Sequence, residues 1–175
     1  LEGTGYFQEG AMHGFDPFSN TKRTEWGPDA APAAVAALLP TLTEDPTLCL
    51  EQLLHASLWG NRKDLSYMVA AHLGAPSALD EERANLMVDA AGAVRDFVFD
   101  NPGLRVGIIT DNAGTELLMD VVLADFLLTH ELAAQVHLHF KPHPFYVSDA
   151  MIRDLVDGTD ALIESGGVAA QLGRR

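Results

Sequence analysis

The sequence predicts an α/β fold, and three consecutive patterns in its second half support that prediction. A short apolar run at residues 104–110 has the length of a buried strand, and a long apolar helical pattern follows at 114–131. A second strand-like run lies at 136–140. A strand, a helix and a strand at this spacing predict a parallel pair joined by a right-handed crossover. The first half of the chain is expected to supply a helical layer on this core.

The segments before the first strand are predicted to be mainly helical. Residues 1–34 are rich in Gly, Pro, Asn and Asp, which is typical of an irregular surface segment, but their aromatic residues indicate packing on a body. Apolar residues at helical spacing follow in four segments, which are residues 33–39, 47–57, 65–72 and 81–100. A polar loop at 58–66 interrupts the series, and Asp64 and Asp80 stand directly before the last two helices.

After the second strand, the pattern predicts a helix at residues 148–155, and residues 160–163 fit either a last strand or the start of a helix. Residues 1–100 are expected to form the irregular segment and helical layer, and residues 101–175 the α/β core of the same compact unit. The chain starts at Leu1 rather than Met and stops just after a helical pattern. We therefore expect a fragment of a longer protein, incomplete at both ends.

Composition limits the classes of partner. The chain has 175 residues, of which 47% are hydrophobic, and this suits a globular core. A net charge of −14 argues against nucleic acid and anionic membranes, because phosphate binding needs a basic face. A small phosphorylated metabolite stays compatible, since a bound cation reverses the local field. The single Cys49, the lack of a long apolar span and the lack of a signal peptide lead us to expect a cytoplasmic protein.

Candidate metal ligands follow both strands. Asp111 and Asn112 come directly after the first strand, and Asp149 follows the second. In open α/β sheets, ligands bind at the edge formed by the carboxyl ends of the strands. Carboxylate and amide oxygens are hard donors suited to Mg²⁺ or Mn²⁺, and the N–H groups that begin the following helix favour phosphate. The alternative interpretation is that these residues are simple helix caps or turn residues.

Further polar residues are candidates for substrate binding. Glu116, in the first turn of the helix after Asp111, is placed to orient a water, accept a proton or contact a ligand; its alternative role is to favour the helix dipole. Asn61 and Arg62 lie in the polar loop, and Arg62 can bind a phosphate bidentately, although a surface turn is the alternative. Lys141 adds a positive charge near the second strand, or is simply exposed.

Other chemistries have weaker support. His137 and His139 would share one strand face and could bind zinc with His143, but no Cys joins them, so polar side chains of a partly covered strand are favoured. Asp120 and Asp125 form a narrow polar stripe that we interpret as solvated or paired. The sequence lacks the P-loop, the dinucleotide-binding glycine pattern and G-x-S-x-G. Because Asn112 and Ala113 follow Asp111, the acid-x-acid nucleophile motif of haloacid-dehalogenase-like phosphatases is also missing there.

Four segments carry a combined pattern that covers nearly the whole chain. They are LWGNRKDLS at 58–66, TDNAGTE at 110–116, VLADFL at 122–127 and KPHPFYVSD at 141–149. In this order they resemble the metal-dependent damage-control phosphatase family, and most closely its acidic-residue methyltransferase-like branch. Asp16-Pro17-Phe18 with Lys22 also fits the N-terminal segment of that branch.

The resemblance implies a three-layer α/β/α sandwich with a parallel, Rossmann-like sheet and a helical N-terminal part. It implies a divalent ion, such as Mn²⁺ or Mg²⁺, held by the catalytic residues Asp111, Asn112 and Asp149. The implied reaction is hydrolysis of sugar-phosphate or related damaged-metabolite phosphate esters, with Arg62 compensating phosphate charge. Asp111 would either ligate the metal and orient water or attack directly, and the pattern does not separate these roles.

Two alternatives and one departure accompany the resemblance. Members of the family have also been proposed to methylate protein carboxylates (glutamate) with S-adenosylmethionine, in which case Glu116 and Asp149 would lie near the methyl donor. The other alternative is an inactive binding module. Thr115 stands where an aromatic residue is common in the family. Its later Lys-Gly-Asp, Asn-Tyr-Arg and lysine motifs do not appear here, so the chain resembles the metal centre without its full substrate clamp.

Overall fold

A computed structural model gives the fold over residues 12–27, 29–60 and 86–174. The strands described there are β1 (Leu104–Ile109) and β2 (Ala133–His139). The α-helices are α1 (Ser19–Lys22), α2 (Ala31–Leu38), α3 (Pro46–Trp59), α4 (Ala91–Asp100), α5 (Thr115–Thr129), α6 (Ile152–Ser165) and α7 (Gly167–Leu172). Short 3-10 helices occupy Arg23–Trp26 and Leu39–Thr41.

The two strands form a parallel sheet, as the sequence predicts. Val106 pairs with Val136 and Ile109 with His139, and the register shifts once near Leu104. Helix α5 connects the strands and packs against β2. This strand–helix–strand unit confirms the α/β class, and it brings the carboxyl ends of both strands to one edge of the sheet.

Helix α5 lies at the centre of the hydrophobic core. Its sequence is apolar on nearly every side, which is typical of a helix that is surrounded by other elements. Leu117, Leu118 and Met119 are completely buried. Helices α2 and α3 pack against α5, and the side chains of Val106 and Val136 reach the same core from the sheet. The first turn of α5 is therefore fixed by packing and provides a rigid base for the neighbouring loops.

The opposite face of the sheet is exposed in the part of the chain that the structure describes. Ile109 is the most exposed apolar residue of the strands, with 85% of its surface accessible. The side chains on this face come from alternate positions of both strands, namely Arg105, Ile109, Gln135, His137 and His139. In the described residues, helices thus cover one face of the sheet and leave the other face exposed.

Several predicted boundaries were wrong. Of the helix predicted for 81–100, residues 81–85 lie outside the described residues. Residues 86–90 are not helical, and the helix begins at Ala91, where the Asp89 side chain accepts the Ala91 N–H at 3.0 Å. The helix predicted for 148–155 begins at Ile152, and residues 160–163 lie within it rather than in a strand. The helix predicted for 65–72 lies outside the described residues. Among the described helices, none is long and apolar enough to span a bilayer.

Candidate functional site

The loops that follow β1 and β2 are joined through their backbones. Asn112 and Asp149 form an isolated antiparallel bridge. The N–H of Ala150 donates to the carbonyl oxygen of Asp111 at 2.9 Å. These bonds bring the three residues that the sequence singled out, Asp111, Asn112 and Asp149, into one cluster at the carboxyl edge of the sheet.

Lys141 lies between the two carboxylates of this cluster. Its ammonium group donates to Oδ1 of Asp111 and, at 2.8 Å, to Oδ1 of Asp149. It also donates to the carbonyl oxygen of Asp111 at 2.9 Å. Burial alone would lower the pKa of Lys141, but these two carboxylates raise that pKa above its ordinary value. Two carboxylate oxygens therefore converge on one cationic position.

The carboxylate of Asp149 is held on both of its oxygens. While Oδ1 accepts from Lys141, Oδ2 accepts the backbone N–H groups of Phe145 at 2.8 Å and Tyr146 at 2.9 Å. Burial alone would raise the pKa of Asp149, but Lys141 and these N–H groups hold it below its ordinary value. Asp149 is consequently an ionised carboxylate with a fixed direction at neutral pH.

The amide of Asn112 connects the cluster to helix α5. Its Nδ2 group donates to Oδ2 of Asp111 at 3.2 Å and to Oε2 of Glu116 at 3.0 Å. Its Oδ1 accepts the hydroxyl of Ser148 at 2.6 Å. Burial is the largest influence on Glu116 and raises the pKa of its carboxyl group. Glu116 thus lies beside the predicted metal ligands, as its place in the first turn suggested.

The simple helix-cap interpretation does not describe these residues. The N-cap of α5 is Gly114, whose backbone has φ +84°, and no side chain in the part of the chain that the structure describes caps this helix. A glycine suits that left-handed conformation, and it leaves the N–H groups of the first turn without a capping side chain. At α6 the capping carboxylate is that of Asp154, which accepts the Met151 N–H at 2.9 Å. Within the described residues, the side chains of Asp111, Asn112 and Asp149 thus cap neither α5 nor α6.

The donor set fits a hard divalent cation. The ammonium of Lys141 stands where such a cation would contact both Asp111 and Asp149. Rotating the Asn112 amide by 180° would exchange its nitrogen for its oxygen on the side that faces Asp111. Two carboxylates and one amide oxygen form a set that suits Mg²⁺ or Mn²⁺ better than a soft metal.

Two contributors to this cluster were not recognised from the sequence as site residues. Ser148 donates to Asn112, and Lys22, which is 3% exposed, donates to the backbone carbonyl of Asp149 at 2.5 Å. The only available signal was the presence of Lys22 beside Asp16-Pro17-Phe18 in a chain with few cations. Its burial depends on tertiary contacts with residues more than a hundred positions away, which local patterns do not reveal.

The predicted phosphate-binding residues Asn61 and Arg62 lie outside the described residues, and so does Asp64. Gly60, which precedes them in the chain, is buried at the end of α3. A Cβ atom placed on Gly60 would stand 2.5 Å from the Cα of Glu116. The end of α3 therefore touches the backbone of the helix that begins at the site.

Asp120, one turn after Glu116, is not solvated. It is 4% exposed and accepts the Ser57 hydroxyl of α3 at 2.5 Å. Burial raises the pKa of Asp120 to about 6, a rise that the Ser57 hydrogen bond opposes and the nearby Glu116 charge reinforces. The sequence predicted that Asp120 and Asp125 are either solvated or paired. Asp120 is paired, and Asp125 is half-buried.

Asp120 is expected to make stability depend on pH. The pKa of Asp120 is raised in the folded state. The stability that Asp120 contributes is therefore complete below its unfolded pKa of 3.8 and is lost as the pH rises through about 6. Between pH 4 and 7 the wild type should lose about 2 kcal/mol relative to Asp120→Asn. Urea unfolding of both proteins across this range measures the difference. The exposed Asp157→Asn is the control, and a pH dependence that Asp120→Asn leaves unchanged would contradict the assignment.

The histidines do not form the alternative zinc site. His137 and His139 lie on the exposed face of β2, while His143 packs edge-on against Phe145 with ring centres 5.0 Å apart. Within residues 12–27, 29–60 and 86–174, no three His, Cys, Asp or Glu side chains are grouped to hold a metal ion. The cluster at Asp111 differs because its third donor is an amide.

Comparisons with known proteins agree with the motifs. Residues 5–174 match the family model described as the damage-control phosphatase ARMT1-like domain. Among curated relatives, the damage-control phosphatase ARMT1 of Danio rerio is 32% identical over 164 residues, which is 82% of this chain and 37% of that protein. The damage-control phosphatase ARMT1 of Rattus norvegicus is 36% identical over 59% of this chain and 26% of its own length. That of Xenopus laevis is 38% identical over 60% of this chain and 27% of its own length. The chain spans roughly a quarter to just over a third of the length of these relatives.

Proposed function

The chain belongs to the ARMT1-like family of damage-control phosphatases, and on that premise we propose that it forms the metal centre of a divalent-metal-dependent phosphatase. One observation supports the proposal above all others. The carboxylates of Asp111 and Asp149 converge on a single cationic position next to the uncapped start of α5. Such a position suits a metal ion that contacts a phosphate lying at the helix terminus.

In this proposal Asp111, Asn112 and Asp149 hold Mn²⁺ or Mg²⁺. The bound ion would neutralise the phosphoryl oxygens and fix the ester for attack. Asp149 suits a ligand because its carboxylate is already ionised and oriented by Phe145 and Tyr146. Asp111 is the more exposed carboxylate, with 67% of its side chain accessible. It therefore remains able to orient a water or to approach the phosphorus atom itself.

The proposed substrate is a small phosphate ester, either a sugar phosphate or a related damaged metabolite. Lys141 can turn its ammonium toward a phosphate once its two carboxylates contact a metal, and the first-turn N–H groups of α5 add neutral donors. Asn61 and Arg62 are proposed to bind the same phosphate. Gly60 supports this role, because it lies against Glu116 at the site and directly precedes both residues in the chain.

Metal titration tests the proposal directly. With free Mn²⁺ at a hundred times its dissociation constant, the free energy of unfolding should rise by about 2.7 kcal/mol, because only the folded state groups the ligands. Thermal and urea unfolding with and without Mn²⁺ measure this rise. Asp149→Asn keeps the shape of the side chain and removes its charge, so it should abolish the stabilisation. Equal stabilisation of wild type and Asp149→Asn, or none in either, would refute the metal centre.

A further inference from the structure

Lys22 is a buried lysine that makes two hydrogen bonds and one further ion pair. Its ammonium lies 2.9 Å from Oδ2 of Asp16 and 2.8 Å from Oδ2 of Asp154, and it donates to the carbonyl oxygen of Asp149 at 2.5 Å. Asp16, Lys22 and Asp154 are each 3% exposed or less. Among the described residues, two of the three ammonium donors make hydrogen bonds, to Asp149 and Asp154, and the contact with Asp16 is an ion pair.

Asp16, Lys22 and Asp154 form a triad that joins three separate parts of the chain around one backbone atom, the carbonyl oxygen of Asp149. Asp16 and Lys22 belong to the N-terminal segment, where the Phe18 N–H fixes the other oxygen of Asp16 at 2.8 Å. Asp154 belongs to the first turn of α6, where its Oδ2 also accepts the Met151 N–H. The third acceptor is the main chain of Asp149, between the β2 loop and α6.

The hydrogen bond from Lys22 to the Asp149 backbone affects the direction of the Asp149 side chain. The Asp149 carbonyl is held by Lys22 on the buried side, while its carboxylate oxygens are held by Lys141, Phe145 and Tyr146 on the site side. With both ends fixed, the carboxylate keeps its direction toward the cation position. Groups that orient a metal ligand in this way commonly change metal affinity by about tenfold or more when removed.

We infer that Lys22 is a positioning residue, which fixes the main chain of Asp149 and thereby directs its carboxylate at the metal. The inference rests on the proposed function, because it assigns Asp149 as a ligand. Lys22 touches neither the cation position nor the exposed carboxylate of Asp111. It acts from behind the loop, through the backbone.

The sign of the change in Mn²⁺ affinity distinguishes a positioning role of Lys22 from a simple effect of its charge. Lys22→Met removes a positive charge near a cation site, so Coulomb interaction alone would tighten Mn²⁺ binding. Positioning requires the opposite result, a loss of Mn²⁺ affinity of about tenfold or more. Titration calorimetry with MnCl₂, at a temperature where the variant is folded, measures the change. Unchanged or tighter binding by folded Lys22→Met would overturn the inference.

Arg95→Met is the matched control. It also removes one cation and one ion-paired side chain, since Arg95 contacts Glu51 on α3 and Asp96 on α4. Glu51 is nine residues before Gly60 on the same helix, about 13 Å along its axis from the site. Arg95→Met should leave Mn²⁺ affinity within about twofold of the wild type, whereas a tenfold loss here would mean that general destabilisation explains the Lys22 result.

A metal-free measurement keeps the inference separate from the metal proposal. The Ala150 N–H, bonded to the Asp111 carbonyl, should exchange with deuterium at least about tenfold faster in Lys22→Met, while amides of β1 keep their wild-type protection. If the wild-type protein binds no Mn²⁺, the proposed metal centre is refuted. Deuterium exchange of the Ala150 amide alone then decides the role of Lys22. Unchanged exchange at Ala150 would then overturn it.

A second variant covers the possibility of misfolding, because Lys22→Met leaves two buried carboxylates without their cation. Combining Lys22→Met with Asp16→Asn removes one of these charges, and the Met151 N–H still donates to Asp154. The double variant still lacks the bond to the Asp149 carbonyl. It should show the same loss of Mn²⁺ affinity and the same faster exchange at Ala150, and wild-type values for both would overturn the inference.

Discussion

Asp111→Ala is expected to lower kcat/KM for phosphate-ester hydrolysis by about a thousandfold or more while the fold survives. The substitution removes one of the two carboxylates that meet at the cation position, and with it the group best placed to orient or deliver the nucleophile. Because the side chain is 67% exposed, its loss should cost less than about 1 kcal/mol of stability. Hydrolysis of p-nitrophenyl phosphate and a sugar monophosphate, with Mn²⁺ calorimetry on the same variant, measures the effect.

Asp157→Ala provides the control for that experiment. Asp157 is an exposed carboxylate on α6 that makes no hydrogen bond or ion pair with the predicted ligands in the described part of the chain, and its removal changes the net charge by the same amount. It should leave both turnover and Mn²⁺ affinity unchanged. Retained metal-dependent turnover by Asp111→Ala would count decisively against the proposed enzyme.

Gly60→Ala is expected to destabilise the protein by about 3 kcal/mol. The added Cβ would stand 2.5 Å from the Cα and 3.1 Å from the N of Glu116, and these backbone atoms cannot move away as a flexible side chain would. Gly60 has φ −57°, which alanine adopts easily, so without the clash the same substitution would stabilise the protein by about 0.4–1 kcal/mol. Steric overlap thus reverses the sign of the expected effect, and urea unfolding measures it.

Gly27→Ala is the matched control for this comparison. Gly27 also has negative φ, and the nearest atom to its added Cβ is the Thr24 carbonyl oxygen at an ordinary 3.6 Å. Its stability should change by less than about 0.5 kcal/mol. If Gly60→Ala proved as stable as Gly27→Ala, the close approach of α3 to the start of α5 would be disproved.

The elements that the sequence predicted correctly are those with a strong local pattern. The apolar runs of β1 and β2 and the long apolar stretch of α5 each identify their own structure, and their order implies the parallel pairing. The predicted start of the helix after Asp149 was wrong because Ala150 instead bonds to the Asp111 backbone, which delays the helix to Ile152. That bond joins the loops that follow two different strands, so the local sequence of either loop does not predict it.

The same distinction applies to the candidate site. The clustering of Asp111, Asn112 and Asp149 was predictable because their residue types and their places after strands are both visible in the sequence. Asp120 and Lys22 were harder to interpret because their importance comes from burial against distant partners, Ser57 for the first and Asp154 for the second. Charged residues are usually exposed, so sequence patterns alone favour the wrong surroundings for such exceptions.

The placement of Lys141 has a consequence for the order in which ligands would bind. The two carboxylates and the single ammonium that meet there sum to −1, which repels an approaching phosphate dianion. A divalent ion bound to Asp111 and Asp149 would bring that sum to +1 and release the ammonium. In the proposed enzyme, metal would therefore bind first and substrate second, and one lysine would serve as internal counter-ion before loading and as phosphate partner afterwards.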